Sequence, residues 1–122
     1  MPTPNFFLLY VDNPAKSAEF YASLLGKAPV EASPTFAMFA LESGVMLGLW
    51  SRHTVEPAAS FTGGGGEVCF AVESDDAVNA LHAQWKEKGL PILQAPVEMD
   101  FGYTFVALDL DQHRLRVFMP KP

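Results

Sequence analysis

Asn5-Phe6-Phe7-Leu8-Leu9-Tyr10-Val11 runs directly into Asp12-Asn13-Pro14-Ala15-Lys16-Ser17-Ala18-Glu19-Phe20-Tyr21. The first seven residues are short, apolar and rich in β-formers, which predicts a strand buried on both faces. Asp12-Asn13-Pro14 then offers an Asx cap and a proline at the first helical position. Ala18, Tyr21, Leu24 and Leu25 follow at helical spacing, and Gly26 supplies a left-handed stop. Strand passes to helix within a few residues, so the two pack as one unit.

Beyond this unit, apolar stretches at Phe36–Leu41 and Val45–Trp50 flank Glu42-Ser43-Gly44, a hairpin signature. The same plan then recurs. Glu67 to Val72 reads as a strand, Ser74-Asp75-Asp76 starts a helix with Val78, Leu81, His82 and Trp85 on one face, and Gly89 ends it. Tyr103–Leu108 and Leu115–Met119 form a second hairpin around Asp109-Leu110-Asp111-Gln112-His113. The chain is therefore expected to be a single domain written twice. Repeat one spans about 4–56, a linker 57–66 carries Gly63–Gly66, and repeat two spans about 67–120. The predicted fold class is α+β: two βαβββ repeats whose curled mixed sheets form a cup, with the helices outside.

At 122 residues and 49% hydrophobic content the chain can bury one core. A net charge of −6 excludes a phosphate-neutralising surface, so nucleic acid is not an expected partner. No apolar run is long enough to span a bilayer, so no membrane is expected either. The lone cysteine, Cys69, and the lack of a signal-like start point to a cytoplasmic protein. Ten Phe, three Tyr and two Trp are the unusual feature, and most of them belong in a core.

Val11 to Tyr21, then Leu25-Gly26, resembles the opening of the vicinal oxygen chelate superfamily, which includes glyoxalase I, extradiol dioxygenases, fosfomycin-resistance enzymes and bleomycin-binding proteins. Asp109-Leu110-Asp111-Gln112-His113-Arg114-Leu115 is similar to its turn before the last strand, with Leu110 and Gln112 in place of the usual Pro and Gly. Leu49-Trp50-Ser51 and Phe101-Gly102-Tyr103-Thr104-Phe105 resemble more closely the phenazine-antibiotic resistance branch, whose members bind griseoluteate-type compounds.

The resemblance implies four ligand positions, one on each of four strands, which in the enzymes hold a divalent ion. Here they fall on Phe6, Gly48, Glu67 and Arg116. Phe and Gly offer no ligating side chain, and Arg repels a cation. Neither a metal site, a cofactor nor a catalytic residue is expected, and a binding protein is favoured over an enzyme. The alternatives are a glyoxalase- or dioxygenase-type enzyme with shifted metal ligands, a metal-independent enzyme using Glu67 as a base with a raised pKa, and an interaction module. His53, His82 and His113 read as exposed or helix-surface histidines.

Strand alternation fills the site instead. If Phe6 faces the cavity, so do Leu8 and Tyr10; on the hairpin Met46, Gly48 and Trp50 follow, and on the last strand Arg114, Arg116 and Phe118. Gly48 is expected to leave a gap beside Trp50 for a flat ligand. Phe36, Phe39, Phe101, Tyr103 and Phe105 are candidate walls. Glu67 and Arg116 are expected either to pair or to leave Arg116 for a ligand carboxylate. The predicted ligand-binding set is thus Phe6, Leu8, Tyr10, Phe39, Met46, Gly48, Trp50, Glu67, Phe101, Tyr103, Arg116 and Phe118. The expected partner is a planar aromatic small molecule, phenazine-like, and the bleomycin-type resemblance implies a homodimer with pockets at the subunit interface.

Overall fold

The computed structural model describes residues 2–121. The chain divides between Thr62 and Gly63 into two compact units. The first contains β1 (Phe6–Val11), α1 (Pro14–Leu25), β2 (Glu31–Ala32), β3 (Phe36–Ala40) and β4 (Met46–Ser51). The second contains β5 (Glu67–Ala71), α2 (Asp75–Glu87), β6 (Ile92–Met99), β7 (Gly102–Leu108) and β8 (Arg114–Pro120). Each is a βαβββ unit, and the α+β class holds. The sheet orders correspond: β1-β4-β3-β2 and β5-β8-β7-β6, with the first strand of each parallel to the last and the remaining pairs antiparallel.

Local chemistry sets the helix ends. The Asn13 side chain accepts from the Lys16 amide, Pro14 opens α1, and Gly26 at φ 67° closes it. Ser74 accepts from the Ala77 amide, and Asp75 and Asp76 lie in the first turn of α2, where a carboxylate favours the helix dipole. No described helix is long and apolar enough to cross a membrane.

In the first unit α1 packs on β3 and β4 and buries Tyr21, Ala18, Ala37, Phe39, Leu47 and Leu49 with Val11. In the second, α2 packs on β7 and β8 over Val78, Trp85, Phe105, Leu115 and Val117. Edge-on rings tie that core together: Trp85 lies 5.5 Å from both Phe70 and Phe105, and His82 lies 5.3 Å from Phe105.

Two expectations change. β1 is not buried on both faces: it is an edge strand, and Phe6, Phe7 and Leu8 remain 43%, 53% and 41% exposed. His113 is not exposed. It is buried in the turn before β8, where Asp109 accepts from the Asp111 and His113 amides through one oxygen and pairs with His113 Nδ1 at 2.8 Å through the other. Gln112 takes φ 70° there, the left-handed conformation that Gly serves in the turn it resembles.

Candidate functional site

Register decides which side chains share a face. In the first sheet Phe6 pairs with Met46, Leu8 with Gly48 and Tyr10 with Trp50, while Phe36 opposes Trp50, Met38 opposes Gly48 and Ala40 opposes Met46. These nine residues form the face away from α1, and none is charged. Six of the seven predicted from this unit fall on it as one patch. Phe36 and Met38, absent from the predicted set, join them, and the Phe36 and Trp50 rings meet edge-on at 6.4 Å.

Phe39 does not belong to this face. It opposes Leu47 on the helix side and is fully buried, because alternation along β3 places it two residues from Ala37, beneath α1. The gap expected beside Trp50 is also occupied. A Cβ on Gly48 would lie 2.5 Å from Leu8 Cδ2, 3.0 Å from Phe6 and 3.2 Å from Phe36. The missing side chain is filled by three apolar tips that lean over the glycine.

In the second sheet Glu67, Cys69 and Ala71 on β5 oppose Arg114, Arg116 and Phe118 on β8, and Phe118 in turn opposes Thr104 on β7. Glu67 meets Arg116 fork to fork, with Arg116 Nε to Oε1 at 2.7 Å and Nη2 to Oε2 at 3.0 Å. Arg116 Nη1 also donates to Thr104 Oγ1 at 3.2 Å, and that fully buried hydroxyl donates to the Val117 carbonyl at 2.8 Å. Phe101, in the β6–β7 turn, lies 5.5 Å under the Arg116 guanidinium and 5.9 Å from Phe118. Glu67, Arg116, Phe101 and Phe118 therefore come together. Tyr103 does not: it sits on the helix face, where its hydroxyl donates to Asn79 of α2 at 2.7 Å. Phe105 is in the core as well.

The hydrogen bonds from Arg116 hold the Glu67 carboxyl below the usual carboxylate range against the opposing effect of burial, with the Arg116 and Arg114 charges adding to the shift. A carboxylate depressed in this way is a weak base, so the reading of Glu67 as a base with a raised pKa is corrected. Burial, with the Glu67 charge beside it, pushes the Cys69 thiol up and keeps it protonated. Arg114 lies on the face of Arg116 and Phe118, as alternation along the last strand predicts, while Thr104 was the residue sequence reading passed over; it joins that face once the β7–β8 register is known.

The donors do not fit a divalent metal. At the four positions the superfamily resemblance marks, Phe6 and Gly48 offer no donor, and the Glu67 carboxylate is spanned by a cation. Among the described residues no group of three or more His, Cys, Asp or Glu side chains is arranged to hold a metal. His53 pairs instead with Asp12 on the surface at 2.7 Å.

Known proteins agree with this architecture. The phenazine antibiotic resistance protein EhpR of Enterobacter agglomerans is 30% identical over 118 residues, covering 94% of this chain and 90% of that protein. The solution NMR structure of an Agrobacterium tumefaciens protein is 57% identical, covers 100% of both chains and superposes with a TM-score of 0.93. A glyoxalase-related enzyme from Fulvimarina pelagi, 20% identical over 98% of this chain and 88% of its own, shares the fold with a TM-score of 0.84. The profile of the Glyoxalase/Bleomycin resistance protein/Dioxygenase superfamily matches residues 3–117, nearly the whole of both βαβββ units, and this chain belongs to that superfamily.

Proposed function

We propose that the protein binds and sequesters a planar aromatic small molecule of the phenazine kind without a metal, as a resistance or carrier protein. The observation that carries this reading is the uncharged face of the first sheet. Phe6 and Leu8 stay 43% and 41% exposed there, beside the half-buried Tyr10, Phe36, Met46 and Trp50. Single exposed apolar residues are ordinary, but a contiguous ring-rich patch marks a binding surface. EhpR, a phenazine antibiotic resistance protein by name, supports the ligand class. The candidate contact residues are Phe6, Leu8, Tyr10, Met46 and Trp50 on the open face of the first sheet, and, taken by itself, the open face of the second sheet offers Glu67, Phe101, Arg116 and Phe118 as further candidates. The protein acts in the cytoplasm as a homodimer, with pockets at the subunit interface. A carboxylate locked to an arginine supports no lyase or dioxygenase step, which leaves sequestration as the better reading.

Ring stacking adds roughly 0.5–1.5 kcal/mol per contact beyond the area buried, enough with several rings for affinity of about micromolar. The test is a fluorescence and calorimetric titration with a phenazine panel. Trp85 is 3% exposed within the second core, so the Trp50→Phe variant keeps one reporter remote from ligand. Wild type is expected to show saturable quenching. Trp50→Phe should lose that quenching and bind about five- to tenfold more weakly by calorimetry. Absence of saturable binding for every phenazine, or equal affinity in the variant, defeats the proposal.

A further inference from the structure

The parallel strands β1 and β4 end side by side, and the chain beyond them gathers polar groups that the aromatic face does not use. Val11 opposes Ser51, and the Arg52 amide donates to the Val11 carbonyl at 2.8 Å, which brings Asp12 next to Arg52 and His53. The Asp12 carboxylate accepts from His53 Nε2 at 2.7 Å and, at a longer 3.5 Å, from Arg52. The hydrogen bond from His53 holds the Asp12 carboxyl below the usual carboxylate range against the opposing effect of desolvation, so Asp12 is the acceptor and the shared proton lies on Nε2. A neutral ring bound in this way keeps its lone pair on Nδ1. His53 forms one wall of an open cleft of about 870 Å³, completed by Thr54, Val55, Glu56, Pro57 and Ala58 and lying wholly within the first unit. The Thr54 hydroxyl donates to the Ser51 carbonyl at 3.5 Å, which leaves its oxygen as an acceptor. Glu56 has no ion pair among the described residues. The side chains of the cleft therefore offer acceptors, one of them a carboxylate, and no uncommitted donor.

We propose that this cleft is a second binding site, for a primary ammonium group carried on a short apolar stem. An ammonium has three N–H donors, one for each of His53 Nδ1, Thr54 Oγ1 and the Glu56 carboxylate. Glu56 supplies the counter-charge, and Val55, Pro57 and Ala58 receive the stem. Asp12 is a positioning residue: it fixes the His53 tautomer whose free nitrogen accepts. A divalent metal is the poorer occupant, because one imidazole and one carboxylate fall short of a protein site and no group of three such ligands is arranged among the described residues.

This assignment does not rest on the binding of planar aromatics and stands or falls separately. Amide and imidazole ¹⁵N resonances are followed during titration with butylammonium chloride, with butanol and sodium butyrate as controls of the same shape. Wild type is expected to show saturable shifts across residues 53–58 with butylammonium alone, at millimolar concentration. Glu56→Gln should weaken binding about fivefold, as the loss of an exposed charge partner does. Asp12→Asn should also weaken it and, in the ring nitrogen shifts, move His53 away from a single Nε2–H tautomer, which a merely structural role for Asp12 would not do. All the altered side chains are exposed, and unchanged amide shifts elsewhere report an intact fold. No saturable shift with butylammonium, equal shifts with butanol or butyrate, or wild-type affinity in Glu56→Gln overturns the site. Saturation of the same resonances by zinc chloride at lower concentration than butylammonium overturns the ligand class.

Discussion

Glu67 and Arg116 show how one residue pair can set the chemistry of a sheet face. Two short charge-assisted hydrogen bonds hold the carboxylate ionised below its ordinary range. A carboxyl depressed in the folded state stabilises the fold above its unfolded pKa, and that contribution is lost as pH falls through the folded pKa. Unfolding in urea should therefore find wild type more stable than Glu67→Gln by on the order of 1 kcal/mol at pH 7, after allowing for solvent screening. The difference should shrink as pH drops below about 4.3, the ordinary glutamate value. A gap that stays constant down to pH 3 would show that the pair contributes nothing to stability. The proximity of these two residues was legible in the sequence through the superfamily resemblance. The commitment of Arg116 to Thr104 was not, because it depends on which β7 residue opposes Phe118. Phe39 and Tyr103 were misplaced for a related reason: aromatic identity says nothing about face until the register is fixed.

Elements follow the sequence where the local signals agree and depart from it where those signals conflict. Both helices begin and end close to their Asx, Ser, Pro and Gly signals. β6 went unread, because Pro96 within Ile92–Met99 argues against a strand and its register slips twice. It survives as a strand because it is at the sheet edge, where a missing N–H removes no ladder bond. β2, at two residues, carries no periodicity to read. Two strand glycines should respond differently to substitution. At Gly48 an added Cβ meets only side-chain tips, among them the exposed Leu8, so Gly48→Ala should cost under about 1 kcal/mol. At Gly102, φ is 149° and the Cβ would strike the Met119 carbonyl oxygen on the neighbouring strand. Backbone cannot yield as a side chain does, so Gly102→Ala should cost more than about 2 kcal/mol. Chemical denaturation of both variants checks the contrast, and equal losses would contradict the β7–β8 geometry.

At the scale of the whole molecule, one topology is used twice with different surface chemistry. The first unit turns an uncharged ring-bearing face outward from its helix, and the second turns out an ion pair, a further arginine and two rings. The repeat was visible from the order of strand and helix signals. The placement of the first strand beside the last in each sheet was not, because parallel pairing leaves no turn signature between the partners. If binding proceeds without metal, a chelator should leave phenazine affinity unchanged, and added divalent ions should not raise the melting temperature, as any ion bound to the folded state would. A chelator-sensitive affinity would reinstate the metal-dependent reading.

The Glu67–Arg116 couple also has a consequence for substitution. Exchanging Arg116 alone for a metal donor strands an anion on the sheet, and exchanging Glu67 alone strands a cation. Building a divalent-ion site at these positions would thus need both replacements at once, and donors at Phe6 and Gly48 besides. The two side chains bind each other's fate: neither can be exchanged alone without leaving the other to find a new counter-charge.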